Sequence, residues 1–144
     1  MTTVGNILTL KSSEIWSIAP DSSVFEALEM MADKNVSGLL ILENEKLVGI
    51  FTERDYARKL ILKGKFSKKT KVSELMTKNI LYVEPDNTLK DCMTLMTNKR
   101  IRHLPVLDNG RLVGILTIGD LVKLIISEQK TTIHQLENYI SGGY

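Results

Sequence analysis

A hydroxyl and a carboxylate one helical turn apart, directly after a glycine-bearing apolar run, occur twice in this chain. The two stretches are Gly49-Ile50-Phe51-Thr52-Glu53-Arg54-Asp55 and Gly114-Ile115-Leu116-Thr117-Ile118-Gly119-Asp120. The apolar run reads as a strand that ends, and the polar residues as the first turn of a helix. Unpaired amides in such a turn attract anions. A threonine there can hold a phosphate, and an aspartate a turn later can accept both hydroxyls of a ribose, as an acidic residue does in dinucleotide sites. Thr52 with Asp55 and Thr117 with Asp120 therefore suit a ribose phosphate. The same residues also fit plain capping boxes, with threonine as N-cap and aspartate closing the box. A duplication copies caps as faithfully as sites, so both readings stand.

A second group of polar residues, Arg102-His103, opens the apolar run Leu104-Pro105-Val106-Leu107. Two basic side chains at the mouth of a buried strand suit phosphate, although an arginine–histidine pair at a strand start also fits a solvated edge. The matching positions in the first half are Ser37-Gly38, so the two pockets differ chemically. Arg54 is a candidate for the cation missing from the first pocket, the alternative being a surface arginine or an ion-pair partner of Asp55. Signs of catalysis are sparse. His103 and His134 are the only histidines, no His/Cys/Asp cluster has metal-ligand spacing, and there is no nucleophile elbow, P-loop or dinucleotide glycine fingerprint.

The elements that must position these residues recur with a shift of 65 positions (114 minus 49), which lays residues 20–59 over 85–124 without a gap. Each half reads as a short strand (Ile15 to Ile18, Ile80 to Val83) ending at Pro-Asp, then a helix. Ser23-x-x-Glu26 and Thr88-x-x-Asp91 look like the caps of those helices. Two apolar strands follow, and a last helix opens at Thr52 or Thr117, giving β-α-β-β-α per repeat. Asn109-Gly110 signals a hairpin. Upstream, Val4-Gly5-Asn6-Ile7-Leu8 answers Val72-Ser73-Glu74-Leu75-Met76. The predicted organisation is an α/β chain with repeat one at 4–62, a basic linker at 63–71, repeat two at 72–126 and a helical extension and tail at 127–144. The second repeat's last helix runs on into that extension, since Leu121, Leu124, Ile125, Ile133, Leu136 and Ile140 keep near-helical spacing before Gly142-Gly143. Such a stripe predicts a dimer contact or a fold-back onto the body.

Composition bounds the rest. Of 144 residues 43% are hydrophobic and 25% charged, and the net charge of +2 is too small to argue for nucleic acid. Trp16 and the few tyrosines are not interleaved with a basic patch, so a stacking platform lacks residues. Each repeat alone would be marginal, so the two should pack together with pseudo-twofold symmetry. Cys92, the single cysteine, lies in an apolar run and reads as a small buried hydrophobe. No stretch approaches a membrane span and the N-terminus lacks a signal peptide's regions, which predicts a soluble cytoplasmic protein.

Together, Pro-Asp-x-Ser/Thr-Val/Leu, Leu-Pro-Val-Leu-Asp and Leu-Val-Gly-Ile-x-Thr-x-x-Asp make the chain resemble the cystathionine β-synthase (CBS) domain family, whose tandem pairs are called Bateman modules. Phe51 to Lys59, Ile101 to Val106 and the tail from Gln135 are similar to small stand-alone pair proteins of bacteria and plant organelles. The resemblance implies paired sheets enclosing two clefts for adenosine ligands such as AMP, ATP or NADH, with no obligatory cofactor. It also implies that Thr52, Asp55, Thr117 and Asp120 hold phosphate and ribose, that backbone near Ile15 and Ile80 meets the adenine, and that Arg102 and His103 face phosphates. Gly38 stands where repeat two has His103, and Leu40 where the family usually has proline. A disc-like homodimer and an unidentified protein partner are further implications. The function so implied is a nucleotide sensor without turnover. A ligand-free interaction module is the alternative.

Overall fold

The computed structural model describes residues 2–11 and 14–140. Its elements run α1 (Val4–Leu10), β1 (Ser17–Ile18), α2 (Val24–Lys34), β2 (Gly38–Glu43), β3 (Lys46–Thr52), α3 (Glu53–Asp55) continued by a π-helical stretch (Tyr56–Ile61), α4 (Val72–Leu75), α5 (Leu89–Lys99), β4 (His103–Asp108), β5 (Arg111–Thr117) and α6 (Ile118–Ile140). The expected capping boxes form at both central helices. Ser23 Oγ accepts from the Glu26 amide and Thr88 Oγ1 from the Asp91 amide, each glutamate or aspartate answering the cap's own N–H. Each satisfies orphan donors of a first turn.

Strand β1 pairs parallel with β2, and β2 antiparallel with β3; β4 and β5 form a second antiparallel pair. Both hairpins shift register at the same place, between Ile41 and Leu42 and between Val106 and Leu107. The expected strands at Ile15 to Ile18 and Ile80 to Val83 are both shortened. The first is reduced to Ser17–Ile18. The second survives as a single bridge, Val83 to Val106. Proline explains the second loss. In repeat one the Leu40 amide donates to the Trp16 carbonyl at 3.3 Å, whereas the residue at Leu40's position in repeat two is Pro105, which has no N–H for Leu81. The 79–82 segment is thereby released from the sheet.

Two cores form, and each takes a helix from the other half. Val24, Ala27, Met31, Leu39, Ile41, Phe51 and Leu60 pack with Val72 and Leu75 of α4, while Val83, Cys92, Met96, Leu104, Val106, Leu116 and Leu121 pack with Val4 and Ile7 of α1. Matched backbone bonds hold both exchanges. Val4 N–H donates to Asn87 O (2.8 Å) and Gly5 N–H to Pro85 O (3.0 Å); Val72 N–H donates to Ser22 O (2.8 Å) and Ser73 N–H to Pro20 O (3.1 Å). These exchanged helices explain the motif glycines. A Cβ on Gly114 would meet Leu8 Cδ2 at 2.7 Å, and one on Gly49 would run into the Met76 side chain. Both glycines therefore serve packing.

Cys92 is fully buried, and burial, then the Asp91 charge, pushes its thiol up to about 11. That suits a packing residue better than a nucleophile. The linker begins, as expected, at a helix-ending glycine, Gly64, with φ of +67°. It is also anchored: the Phe25 amide donates to Ser67 O and the Val24 amide to Thr70 O. The last helix runs to Ile140, and every residue from 127 to 140 is exposed. Gly142-Gly143 lie outside the described residues. Among the described residues no helix is long and apolar enough to cross a membrane.

Candidate functional site

A cleft of about 700 Å³ lies between the halves. Its walls come from three places: Thr52, Glu53, Arg54 and Asp55 at the β3–α3 turn, the released segment Asn79-Ile80-Leu81, and Arg100, Arg102 and His103 around the start of β4. The threonine–aspartate turn of repeat one thus meets the arginine–histidine pair of repeat two in one place. Arg54 does line the pocket of Thr52 and Asp55; what differs from expectation is that Arg102 and His103 line it as well. Arg54, Arg102 and His103 line the same cleft, because β2 and β4 begin side by side. A Cβ on Gly38 would come within 3.1 Å of His103 Nε2. Gly38 thus acts by leaving room for the imidazole.

Asp55 is buried, its side chain 9% exposed, and its oxygens are well supplied. Oδ2 accepts from the Thr52 amide at 3.0 Å and the Thr52 hydroxyl at 3.3 Å; Oδ1 accepts from the Thr77 hydroxyl at 3.2 Å and pairs with Lys59 Nζ at 3.0 Å. The capping-box reading is therefore physically realised. It is compatible with a ligand role, because Lys59, 39% exposed at its side chain, reaches Asp55 from outside the cleft lining and a Thr77 hydroxyl can accept while it donates. Arg54 does not pair with Asp55. Its Nη1 donates to Arg100 O at 2.8 Å, tying the β3–α3 turn to the end of α5.

His103 Nε2 lies 3.0 Å from Ser37 Oγ. Burial, then the neighbouring Arg102 charge, push its pKa below the ordinary histidine value, against an opposing pull from Asp120. The imidazole is thus held neutral across most of the physiological range and acts as a hydrogen-bonding wall. Fixed positive charge in the cleft comes from Arg54, Arg100 and Arg102, with Glu53 and Asp55 as the carboxylates. Such a cleft offers guanidinium donors for phosphate, a buried carboxylate for hydroxyls, and an apolar wall of Ile80, Leu81, Met96 and Ile118 for a flat ring.

Thr117, Asp120, Ile15 and Gly38 do not line this cleft, whereas Ile80 does. The second turn repeats the box, with the Thr117 amide donating to Asp120 Oδ2 at 2.8 Å. Lys11 Nζ reaches the same Oδ2 at 2.7 Å. Burial works to raise the Asp120 pKa, but the Lys11 and Thr117 hydrogen bonds outweigh it and hold the carboxyl below the usual range. Lys11, Lys59, Thr77 and Asn79 escaped the sequence reading. A signal for three of them was present: α1 matches α4 at a shift of 68 (72 minus 4), so the residues trailing each helix, Lys11 and Thr77 to Asn79, follow it across to the other half. Among the described residues no cluster of three metal-ligating side chains occurs.

The model of the CBS domain matches residues 4–62 and 72–127. The Arabidopsis thaliana protein "CBS domain-containing protein CBSX3, mitochondrial" is 37% identical, over 99% of this chain and 74% of its own length. A putative signal-transduction protein with CBS domains from Burkholderia ambifaria superposes with a TM-score of 0.86 at 46% identity, covering 89% of this chain and 96% of that one. Two structures solved with ligands are more distant. CBSX2 in complex with AMP has a TM-score of 0.75 at 29% identity, covering 88% and 98%. The CBS domain pair of MJ0100, in complex with 5-methylthioadenosine and S-adenosyl-L-methionine, has 0.77 at 28%, covering 89% and 98%.

Proposed function

The chain belongs to the CBS domain family, as two copies in tandem, and from that premise we propose that it is a regulatory module that binds an adenine nucleotide of the AMP, ATP or NADH class between its repeats. The observation that carries this reading is the convergence in one cleft of Thr52 and Asp55, the sheet-released Asn79-Ile80-Leu81 segment, and Arg102 with His103. Adenosine ligands in the similar pairs CBSX2 and MJ0100 support it. In this reading Asp55 and Thr77 meet the ribose, backbone near Ile80 meets the adenine, and the arginines face the phosphates. The task is recognition without turnover. Its output is a change of shape or rigidity passed to a protein partner, which requires unequal affinity for two states of the module.

The module is further proposed to work as a cytoplasmic homodimer. The stripe Val122, Ile126, Ile133, Leu136 and Ile140 stays exposed on a helix whose last 14 residues (127–140) bury no side chain, Glu128 accepting from the Thr2 hydroxyl at 2.9 Å, and a helix of that length without packing is marginal in water. The same stripe favours the second reading, an interaction module in which the threonine–aspartate turns are caps alone.

Thermal unfolding with AMP, ATP, NADH and S-adenosylmethionine separates the two. A ligand at 100 times its dissociation constant adds about 2.7 kcal/mol, a rise of several degrees for a domain of this size. One adenine compound is expected to raise the transition of the wild type and to leave that of Asp55→Ala where it stands without ligand. If none raises the wild-type transition, and Asp55→Ala loses stability alone, the interaction module becomes the better reading.

A further inference from the structure

The two repeats present the same acceptors to unlike partners. In repeat one Ile50 and Asp55 both line the open cleft, and on the cleft side one short residue serves them: the Thr77 amide donates to Ile50 O at 2.8 Å and the Thr77 hydroxyl to Asp55 Oδ1 at 3.2 Å. Lys59 reaches the same Asp55 Oδ1 at 3.0 Å from outside the lining. Their counterparts 65 positions later, Ile115 and Asp120, are served by one long side chain. Lys11 Nζ lies 2.6 Å from Ile115 O and 2.7 Å from Asp120 Oδ2. Both members of this pair keep only 23% of their side-chain surface exposed, so the contact is no loose surface bridge. Lys11 arrives there because it directly follows α1, the helix that crosses into the second core. In the other crossing, the residue at the same distance from the helix's first residue (79 minus 72, against 11 minus 4) is Asn79, which lines the open cleft.

We infer that Lys11 is a built-in occupant of the second half-site: its ammonium takes the carboxylate and carbonyl that a ribose would address, so that the chain admits one nucleotide at the Asp55 cleft and none at Asp120. The inference rests on the nucleotide-binding reading for the identity of the ligand and on the Lys11 contacts for the closure. A lysine suits the task because one flexible side chain delivers three donors and a full charge to the two acceptors. A competing ribose hydroxyl is neutral and would leave the ammonium half buried without its carboxylate, which is costly.

The test is the stoichiometry of AMP binding, measured by isothermal titration calorimetry on the full chain as wild type, Lys11→Asn, Lys11→Asn with Asp120→Ala, and Asp55→Ala. Lys11→Asn places in the first repeat the residue that the second repeat carries at that position. One AMP per wild-type chain, two per Lys11→Asn chain and a return to one with Asp120→Ala is the expected result. Two per wild-type chain, or a Lys11→Asn chain that still takes one, overturns the inference. The nucleotide reading can fail separately: a wild type that binds no AMP, beside a Lys11→Asn chain that binds one in an Asp120-dependent manner, removes the Asp55 cleft as the site and leaves the closure standing. No binding by either removes both. Should Lys11→Asn not fold, Lys11→Thr, which supplies the residue type that serves repeat one, takes its place with the same expectations.

Discussion

The turn at Thr52 and the turn at Thr117 have nearly the same local chemistry and opposite surroundings. Each is a threonine cap closed by an aspartate, each follows a strand with a packing glycine, and each faces a residue brought over by the exchanged helix of the other repeat. At Thr52 the arriving residues are Thr77 and Asn79, Asp55 takes its ion pair from Lys59 of its own repeat, outside the cleft lining, and a cleft remains; at Thr117 the arriving residue, Lys11, is itself the ion-pair partner. A duplicated fold therefore keeps its backbone symmetry while single side chains on the crossing segments decide which copy of the motif is open. The difference lies outside the motif itself, which is why the motif alone says nothing about occupancy.

The comparison breaks most directly at the crossing helices. Gly114→Ala drives a methyl into the branched Leu8 side chain and is expected to cost about 1–3 kcal/mol, the range for overpacking a filled site. Gly49→Ala meets Met76 instead. The thioether chain re-rotates more readily, but Met76 Cβ, 3.1 Å from the added methyl, does not move with it, which keeps this variant within the same range. Urea unfolding of the pair measures both. Equal losses would mean that the two crossings are mechanically equivalent and that Met76 is as tightly held as Leu8.

A second asymmetry is titratable. Where repeat one has Gly38, repeat two has His103, facing Ser37, Arg102 and Asp120. Its pKa is depressed in the folded chain, so over the interval between the folded and unfolded values the unfolded state binds more protons, and stability rises with pH. The contribution is fully present above the ordinary histidine value near 6.5 and falls away as pH drops through that value toward the depressed one. One proton limits the slope to about 1.4 kcal/mol per pH unit. His103→Gln is expected to flatten the stability profile as pH falls below the ordinary histidine value of about 6.5, measured by denaturant midpoints. An unchanged slope would assign the acid sensitivity of this window to other groups. Asp120 acts lower: its carboxyl is held below the usual range, so its contribution is lost only as pH falls through that lowered value.

Much of this was legible in the chain. Periodicity and capping pairs located α2, α5 and the paired strands, because those features depend on residues within a few positions of one another. The family motifs named the residues of the cleft, Thr52, Asp55, Arg102, His103 and Ile80 among them. What did not follow from local pattern was which copy of each motif meets which. The strand expected at Ile80 to Val83 dissolved because Pro105 on another strand cannot donate. Arg54 passed over its neighbour Asp55 for the Arg100 carbonyl, which the fold brings alongside. Lys11 had no motif to mark it, and its role follows from the exchange of α1 between cores.

The hairpin turns supply the smallest and cleanest comparison. In repeat two Asn109 and Gly110 both take positive φ, 51° and 79°, the geometry of a two-residue turn whose second position suits glycine. Repeat one adopts the same turn with Asn44 at 51° and Glu45 at 66°. A glutamate there carries a Cβ into the left-handed region, at a cost of about 1 kcal/mol. Glu45→Gly relieves that strain while freeing the unfolded backbone, which takes back part of the gain. The expected net change is a stabilisation of about 0.5 kcal/mol, read as a rise in the urea midpoint at unchanged slope. Glu45 is exposed, and removing it takes one acidic charge from a chain that already has a net charge of +2. Glu45→Gln is therefore the needed control: it keeps the strain and removes the charge, and a gain shared by both variants would trace to electrostatics, leaving the two turns equally relaxed.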